Sequence, residues 1–547
     1  MEERIREAVG KALAAAGAPH ATFAVEWPAD LSHGDYATNA ALVAAKPLGK
    51  NPKALAEELA AAVRAELGAD AREVSVAGPG FINIRLSDEA IRARVASAVQ
   101  QGEAWGKGTE NAGKRIIVEY SCPNPFKEMH IGHLMSTVIG EAVSRVIENT
   151  GAEVTRDSYG GDVGPHVAKA LWALRKGGVT DVATETEVDA AYARGSRAYE
   201  ESEAAKAEID ALNVEIYKMQ DGALTDLWRK SREVCLEAFR SLYAILDTKF
   251  DYFFFESETA PIGVRIVNEA LEKGIFERSE GAVIYPGEKK GLHTLVFLTS
   301  RGTPTYEAKE IGLAFYKEER APSDESYILT AAEQVGHFKV VKAALEDIAP
   351  SLGAKTHHIP HGFMRLTSGK MSSREGNTVS ALSLIMDVTE KAQEKNEDPL
   401  IAQRVAVAAV KYMILRQAPG GDIIFDPEKS LSLDGDSGPY LQYAYVRALK
   451  LLTYEGQGGD ATPHAPYLIE RLIIRYPEAA ARAGRERAPH HVAQYLTQLA
   501  AAWNSFYASE QVLGSPEEAY KQQVAKAFAT TMKNGLALLG IPAPEKM

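Results

Sequence analysis

Two histidines, His130 and His133, bracket Ile131 and Gly132 at the end of the run Pro123-Asn124-Pro125-Phe126-Lys127-Glu128-Met129-His130-Ile131-Gly132-His133. At that spacing two imidazoles share one side of a helix start. The glycine between them lets a planar ring approach the backbone. Imidazoles beside unpaired backbone N–H groups suit polyphosphate, so the chemistry is nucleotide recognition. Taken alone, such a pair more often caps a helix; the flanking sequence reverses that reading.

Upstream, Arg115–Tyr120 carries Ile116, Ile117 and Val118 in succession, the pattern of a parallel strand buried on both faces. Downstream, apolar residues at Ile131, Leu134, Val138, Ala142, Val143, Val146 and Ile147 mark an amphipathic helix that stops near Gly151. The histidines therefore sit between a strand's C-terminal end and a helix's N-terminal end. In open α/β sheets that crevice binds ligands.

A second element, Thr367-Ser368-Gly369-Lys370-Met371-Ser372-Ser373-Arg374-Glu375-Gly376-Asn377, places small residues on both sides of a lysine. Such a loop closes over a polyphosphate and brings the Lys370 ammonium to the leaving pyrophosphate. It follows His130 by about 240 residues, the length of an α/β core. Glu119 ends an apolar strand, and a buried carboxylate there needs a cationic partner. Tyr306 and Glu310, spaced i, i+4, share a helix face; the spacing alone leaves a surface pair open. Asp162 reads as a turn or N-cap residue or as a ligand contact. His337, His357, His358 and His361 lack cysteines or ligand-spaced carboxylates beside them and read as strand and loop residues, so no metal site is expected.

The remaining sequence supplies the frame. Residues 1–100 alternate helix and strand: Arg4–Ala15 and Pro52–Leu67 read as helices, Thr22–Trp27 as a strand, and Val74–Leu86 as a strand pair turned at Gly78–Gly80. Gln101–Lys114, glycine-rich, reads as a linker. Val154–Tyr159, Ala282–Tyr285, Thr294–Thr299 and Tyr327–Leu329 read as strands. Asp189–Thr248 is a charged helical insertion, and from about Ser383 the chain is mostly helical. With 547 residues, three or four domains are expected. The net charge is −13, but from Arg404 onward acids and bases nearly balance, leaving room there for a basic face. No apolar run approaches the ~20 residues of a membrane span. There is no signal-peptide pattern, and only Cys122 and Cys235 are present, so a cytoplasmic location is expected.

Together, the His130–His133 run and the Lys370 loop resemble the paired signatures of class I aminoacyl-tRNA synthetases. The first reads HIGH in full. The second reads KMSS where the family pattern is KMSK, so Ser373 removes a lysine and either Arg374 or Lys370 supplies the missing charge. Within the class the chain most resembles arginyl-tRNA synthetase. The resemblance rests on Val118-Glu119-Tyr120-Ser121-Cys122-Pro123-Asn124, Gly161-Asp162-Val163-Gly164, Phe425-Asp426, Gly438-Pro439-Tyr440-Leu441-Gln442-Tyr443-Ala444 and the ending Leu538–Glu545. His33-Gly34-Asp35-Tyr36-Ala37 and Gly80-Phe81-Ile82-Asn83 are similar to that family's extra N-terminal domain.

The resemblance implies a Rossmann-type parallel-sheet α/β catalytic domain over 107–382 with a helical insertion at about 186–250. It also implies an N-terminal α+β, tRNA-contacting domain over 1–106 and a C-terminal α-helical anticodon-binding domain over 383–547. His130, His133 and Lys370 would be catalytic, with Gly132, Met371 and Ser372 also on ATP. Glu119, Ser121, Asn124, Tyr306, Glu310 and Gln334 would hold arginine, with Glu333 competing for the last position. Asn124 would take the α-amino or carboxylate end. The family usually has aspartate where Glu310 stands, so the pocket is expected to shift by one methylene. The implied partners are ATP with Mg²⁺, L-arginine and tRNA, with the acceptor end at the catalytic domain and the anticodon arm at the C-terminal helices. A guanidinium substrate fits carboxylates that accept paired N–H bonds. A monomer is expected. Two rivals are another class I synthetase and a non-enzymatic RNA-binding relative; AMP formation from ATP, arginine and tRNA separates them.

Overall fold

Ile116, Ile117 and Val118 form the middle of a five-stranded parallel sheet, in a computed structural model that describes every residue except 219, 368–378, 455 and 457. The strands are β1 (Arg115–Glu119), β2 (Glu153–Gly160), β3 (Tyr252–Phe255), β4 (Glu325–Ala331) and β5 (Thr356–His361). Their spatial order is β3-β2-β1-β4-β5, with every pair parallel. The order reverses between β1 and β4, so the crevice beyond the C-terminal ends of those two strands is the expected ligand site.

Helix α1 (Ile131–Glu148) follows β1 and buries its apolar stripe from Leu134 to Ile147. Helix α2 (Ala223–Ile245) ends the insertion, whose other helices are Glu185–Glu201 and Glu203–Ile216. Helix α3 (Glu256–Glu272) follows β3 directly, and α4 (Tyr306–Arg320) precedes β4. The last two cross with bare backbone against backbone. A Cβ on Gly263 would lie 2.0 Å from the Ala308 carbonyl oxygen, and one on Gly312 would lie 2.2 Å from that of Thr259. Only glycine permits so close a crossing. It sets the height of α4 over the sheet.

Two of the five strands in this sheet escape the sequence reading. Tyr252–Phe255 is a continuous aromatic run without alternation. Thr356–His361 contains three histidines and Pro360, which reads as loop; it forms because β5 is an edge strand, where proline's missing N–H is tolerated. The Thr22–Trp27 strand shrinks to Val25–Glu26. Gln101–Lys114 is not a free linker. Trp105 is buried, Asn534 Nδ2 donates to the Gly102 and Trp105 carbonyls at 2.8 and 3.0 Å, and the Gly108 and Asn111 amides donate to Asn149 and Thr150.

The chain divides into two compact units. One contains the parallel sheet and comprises Gly108–Gln442, Ala483–Ala493 and Leu536–Met547. The other joins Met1–Lys107 to Tyr443–Arg482 and Gln494–Gly535. In the second unit a four-stranded antiparallel sheet, Val25–Glu26, Tyr36–Thr38, Phe81–Leu86 and Ala71–Ala77 in spatial order, is tied to C-terminal helices by charge. Glu478 accepts from the Tyr36 hydroxyl and from Trp27 Nε1, both at 2.8 Å, and Arg471 pairs with buried Asp35. Among the described residues no helix is long and apolar enough to cross a membrane.

Candidate active site

The chain turns sharply as it leaves β1. Ser121 and Cys122 both hold positive φ, 71° and 51°, and the Cys122 amide donates to the Tyr120 carbonyl two residues back. Side chains rarely adopt this conformation, at a cost on the order of 1–3 kcal/mol each, and it concentrates at functional sites. Ser121 Oγ, 2.8 Å from both the Tyr243 hydroxyl and Thr137 Oγ1, helps to hold it.

The turn delivers the histidine pair to the start of α1. His130 is the N-cap: its Nδ1 accepts the Gly132 amide at 3.0 Å, while His133 Nδ1 accepts the His130 amide at 3.3 Å. Each ring therefore uses Nδ1 as an acceptor, and in the neutral tautomer each keeps its proton on Nε2. Burial, with the charge of Lys127, lowers the His130 pKa. Burial, with His130 beside it, lowers that of His133 to about 3. Both rings are neutral donors at pH 7. Gly132 is required for this arrangement, because a Cβ there would come within 2.9 Å of the His130 ring.

Beyond β1 and β4 lies a cavity of about 540 Å³. It is lined by Glu119, Ser121, Asn124, His130, Gly132, His133, Tyr306, Glu333 and Gln334, so residues spread over more than two hundred positions meet at one site. Asn124 Oδ1 accepts the Gly161 amide at 2.8 Å, which leaves its two amide hydrogens for a ligand. Both Glu333 and Gln334 reach the cavity, from a short 3₁₀ turn after β4. Lys370, Met371 and Ser372, with Ser373 and Arg374, lie outside the described residues. Description resumes at Val379, beside the histidine run: the Ile131 amide donates to Val379 O at 3.1 Å and the Ala381 amide to Met129 O at 2.8 Å.

Four ionisable groups meet below the cavity floor. Lys317 of α4 is buried, with its Nζ 2.6 Å from Glu119 Oε2 and 2.8 Å from Asp157 Oδ2. Glu310, two turns earlier on the same helix, is also buried and lies beside the Tyr306 hydroxyl and Glu119. Its Oε1 has no hydrogen-bond partner. Burial, then the charge of Glu119, pushes the Glu310 pKa up to about 8. The partner that Glu119 requires is thus Lys317, which sequence reasoning missed; a lysine near the end of a charged helix carries no signal of burial. Glu256, another residue missed, lines the cavity and is paired with Lys309 at 2.6 Å.

Asp162 is not aimed at a ligand. It is fully buried and accepts from the Ser257 amide at 2.9 Å, from the Ser257 hydroxyl at 2.8 Å and from Arg232 at 2.8 Å, clamping α2 and α3 together. Of the four later histidines, His357 and His358 stack on Tyr327 and Phe338, while His337 and His361 line the cavity. His337 Nδ1 lies 3.0 Å from Glu307 Oε1.

The whole chain has relatives of known type. Residues 94–426 match the family model described as tRNA synthetases class I (R), catalytic domain. Residues 2–86 match the arginyl tRNA synthetase N terminal domain, and residues 441–547 the DALR anticodon binding domain. The arginine–tRNA ligase of Bdellovibrio bacteriovorus is 31% identical over 91% of both chains, and that of Fusobacterium nucleatum is 31% identical over 94% of this chain and 93% of its own. The solved structure of Thermus thermophilus arginyl-tRNA synthetase superposes with a TM-score of 0.83 at 27% identity, covering 100% of both chains. The strand order, the histidine pair at its switch point and these matches along the full length lead to one assignment: the chain belongs to the arginyl-tRNA synthetase family, class I enzymes that ligate arginine to tRNA.

Proposed function

We propose that the cavity at the β1–β4 switch point carries out this ligation with the following division of labour. Arginine's carboxylate attacks the α-phosphorus of ATP, pyrophosphate leaves, and the terminal ribose of tRNA then attacks the arginyl-adenylate. A carboxylate is already a nucleophile, so the first step needs alignment and charge stabilisation, not a protein base. His130 and His133 supply neutral Nε2–H donors to phosphate oxygens, and Gly132 admits the nucleotide to the backbone. Lys370, with Met371 and Ser372, acts on the phosphates. Mg²⁺ arrives with ATP, ligated by phosphate oxygens. Glu119, Tyr306 and Glu310 take the guanidinium, Asn124 the α-amino or carboxylate end, and Ser121 and Gln334 complete the walls.

The observation that carries this reading is the meeting of Glu119, Asn124, Tyr306 and Gln334 with the histidine pair around one cavity. The chain is divided into an N-terminal tRNA-contacting domain over 1–106, a catalytic domain over 107–382 and anticodon-binding helices over 383–547; the order of the three matched family models supports this division. Of the aromatics Tyr440, Tyr443, Tyr445, Trp503, Phe506 and Tyr507 in those helices, we take Tyr443 and Tyr507 as the two that stack on RNA bases; Tyr440 is half-buried. Trp503, Phe506 and Tyr445 are buried, whereas Tyr443 is exposed and Tyr507 half-buried. Arg447 lies over both rings, at 5.5 and 4.0 Å. A guanidinium flanked by two aromatic faces suits unpaired bases. We further propose that the enzyme acts as a cytoplasmic monomer.

The deciding experiment measures AMP formation with ATP, tRNA and each of arginine, lysine and citrulline. Arginine alone should support turnover, and ATP–pyrophosphate exchange should require tRNA. Equal turnover with lysine or citrulline would remove the pocket assignment, and full exchange without tRNA would remove the coupling.

A further inference from the structure

Glu119 and Asp157 are register partners on adjacent parallel strands, so their side chains leave the same face of the sheet. Lys317 descends between them from α4. Glu310 faces Glu119 from α4, together with Lys317 and the Tyr306 hydroxyl; Glu256 of α3, paired with Lys309, and Tyr159 of β2 also face it. Asp157 is faced by Lys317 and Glu119 and, from the residues before β3, by Asp251. Cys122 Sγ is 3.7 Å from Glu119 Oε1. Apart from the Glu256–Lys309 ion pair, the cluster holds three buried carboxyls and one buried ammonium.

One cation cannot keep three desolvated carboxylates ionised. Burial drives the pKa of both Asp157 and Glu310 upward, and the Lys317 ammonium is held charged despite burial by Asp157 and Glu119. Without substrate, the Glu310 carboxyl keeps its proton, and its Oε1 stands unpartnered behind Glu119, which lines the cavity while Glu310 itself borders a separate space of about 30 Å³.

We propose that Lys317 is a positioning residue for substrate recognition: it fixes Glu119 and supplies the first of two cations that the cluster takes, arginine's guanidinium being the second, so that arginine binding expels the Glu310 proton to solvent. No bond of arginine is made or broken in this step; guanidinium N–H groups replace the carboxyl O–H. A neutral isostere such as citrulline offers no second cation and leaves the proton in place. The inference rests on the assignment of Glu119, Tyr306 and Glu310 to the guanidinium.

The test is calorimetric titration of the full chain, saturated with deacylated tRNA, with L-arginine in buffers of differing ionisation enthalpy. About one proton should be released per arginine at pH 7 and almost none above pH ~9.5, with arginine Kd tightening about tenfold per pH unit from pH 6 to 7.5. Citrulline binding should be flat with pH. Glu310→Gln should abolish the release. Lys317→Met should extend the release above pH ~9.5, because losing one cation raises the pKa of every carboxyl it faced, whereas Lys317→Arg should keep the native pH profile. Should Lys317→Met fail to fold, Lys317→Arg and Glu310→Gln still decide. Native binding without proton release, release that survives Glu310→Gln, or an unchanged pH profile of release in folded Lys317→Met would overturn the proposal. Unchanged arginine affinity in both Glu119→Gln and Glu310→Gln would instead remove the pocket assignment beneath it.

Discussion

His130 and His133 lie stacked at the head of α1, their ring centroids 3.9 Å apart and their planes inclined by 27°. Each ring spends Nδ1 on a backbone amide of the same turn. The pair caps the helix and, in the same geometry, aims two N–H donors outward.

His133→Ala should lower the adenylation rate by about 10²-fold, the usual loss for one preorganised donor, with little change in arginine Kd. His133 should contribute no break to the pH profile from pH 5 to 8 at saturating substrate. The folded pKa of about 3 lies below the unfolded 6.5, so the neutral ring's contribution to stability is present above pH 6.5 and is lost as pH falls toward 3. Stopped-flow adenylation across this range checks both statements.

Lys370→Ala should reduce the rate of adenylate formation far more than it changes the affinity for arginine. An ammonium on a leaving pyrophosphate acts as charge develops, not on the bound ground state. Pre-steady-state kinetics yielding a pure affinity effect would contradict the role given to this loop.

Arg447, Tyr443 and Tyr507 make the stacking surface proposed for RNA. Tyr507→Ala should weaken tRNA binding by about 1–3 kcal/mol while leaving arginine-dependent proton release unchanged. The affinity of the native chain for tRNA should fall as salt rises. Filter binding over a salt series measures both, and a salt-independent affinity would remove the docking surface.

Lys411 offers a test away from the catalytic chemistry. Its Nζ is buried and donates to the Leu246 carbonyl at 2.5 Å and the Gly540 carbonyl at 2.6 Å, so it ties the chain's final segment to the end of α2. Burial, aided by Arg145, lowers its pKa to about 7 from 10.5. Between those values the unfolded chain binds the extra proton, so stability should rise with pH by up to about 1.4 kcal/mol per unit. Denaturant titrations of native protein and Lys411→Met from pH 7 to 10 should show that slope diminished in the variant.

The site divides into parts that local sequence displays and parts that it hides. His130, Gly132, His133 and Asn124 are legible because the chemistry of a strand–loop–helix junction is written in consecutive residues. Glu119 is legible as a charge stranded in an apolar strand. Its partner is not: Lys317 stands 198 positions away, and nothing in the pattern of α4 distinguishes it from a solvated lysine. The strand at Thr356–His361 is hidden for a related reason, since an edge position tolerates histidines and proline that a central strand would reject. Asp162 misleads because a buried clamp and a ligand contact call for the same residue in the same turn.

The crossing of Gly263 and Gly312 bears on substrate range. Glu119 hangs from a strand and Glu310 from a helix, so the gap between their carboxyls is governed by how deeply that helix settles. A single methyl at either glycine would meet a carbonyl oxygen at about 2 Å, well inside contact distance, and would lift the helix bodily. The aperture offered to an amino acid is therefore calibrated at a spot that never touches one.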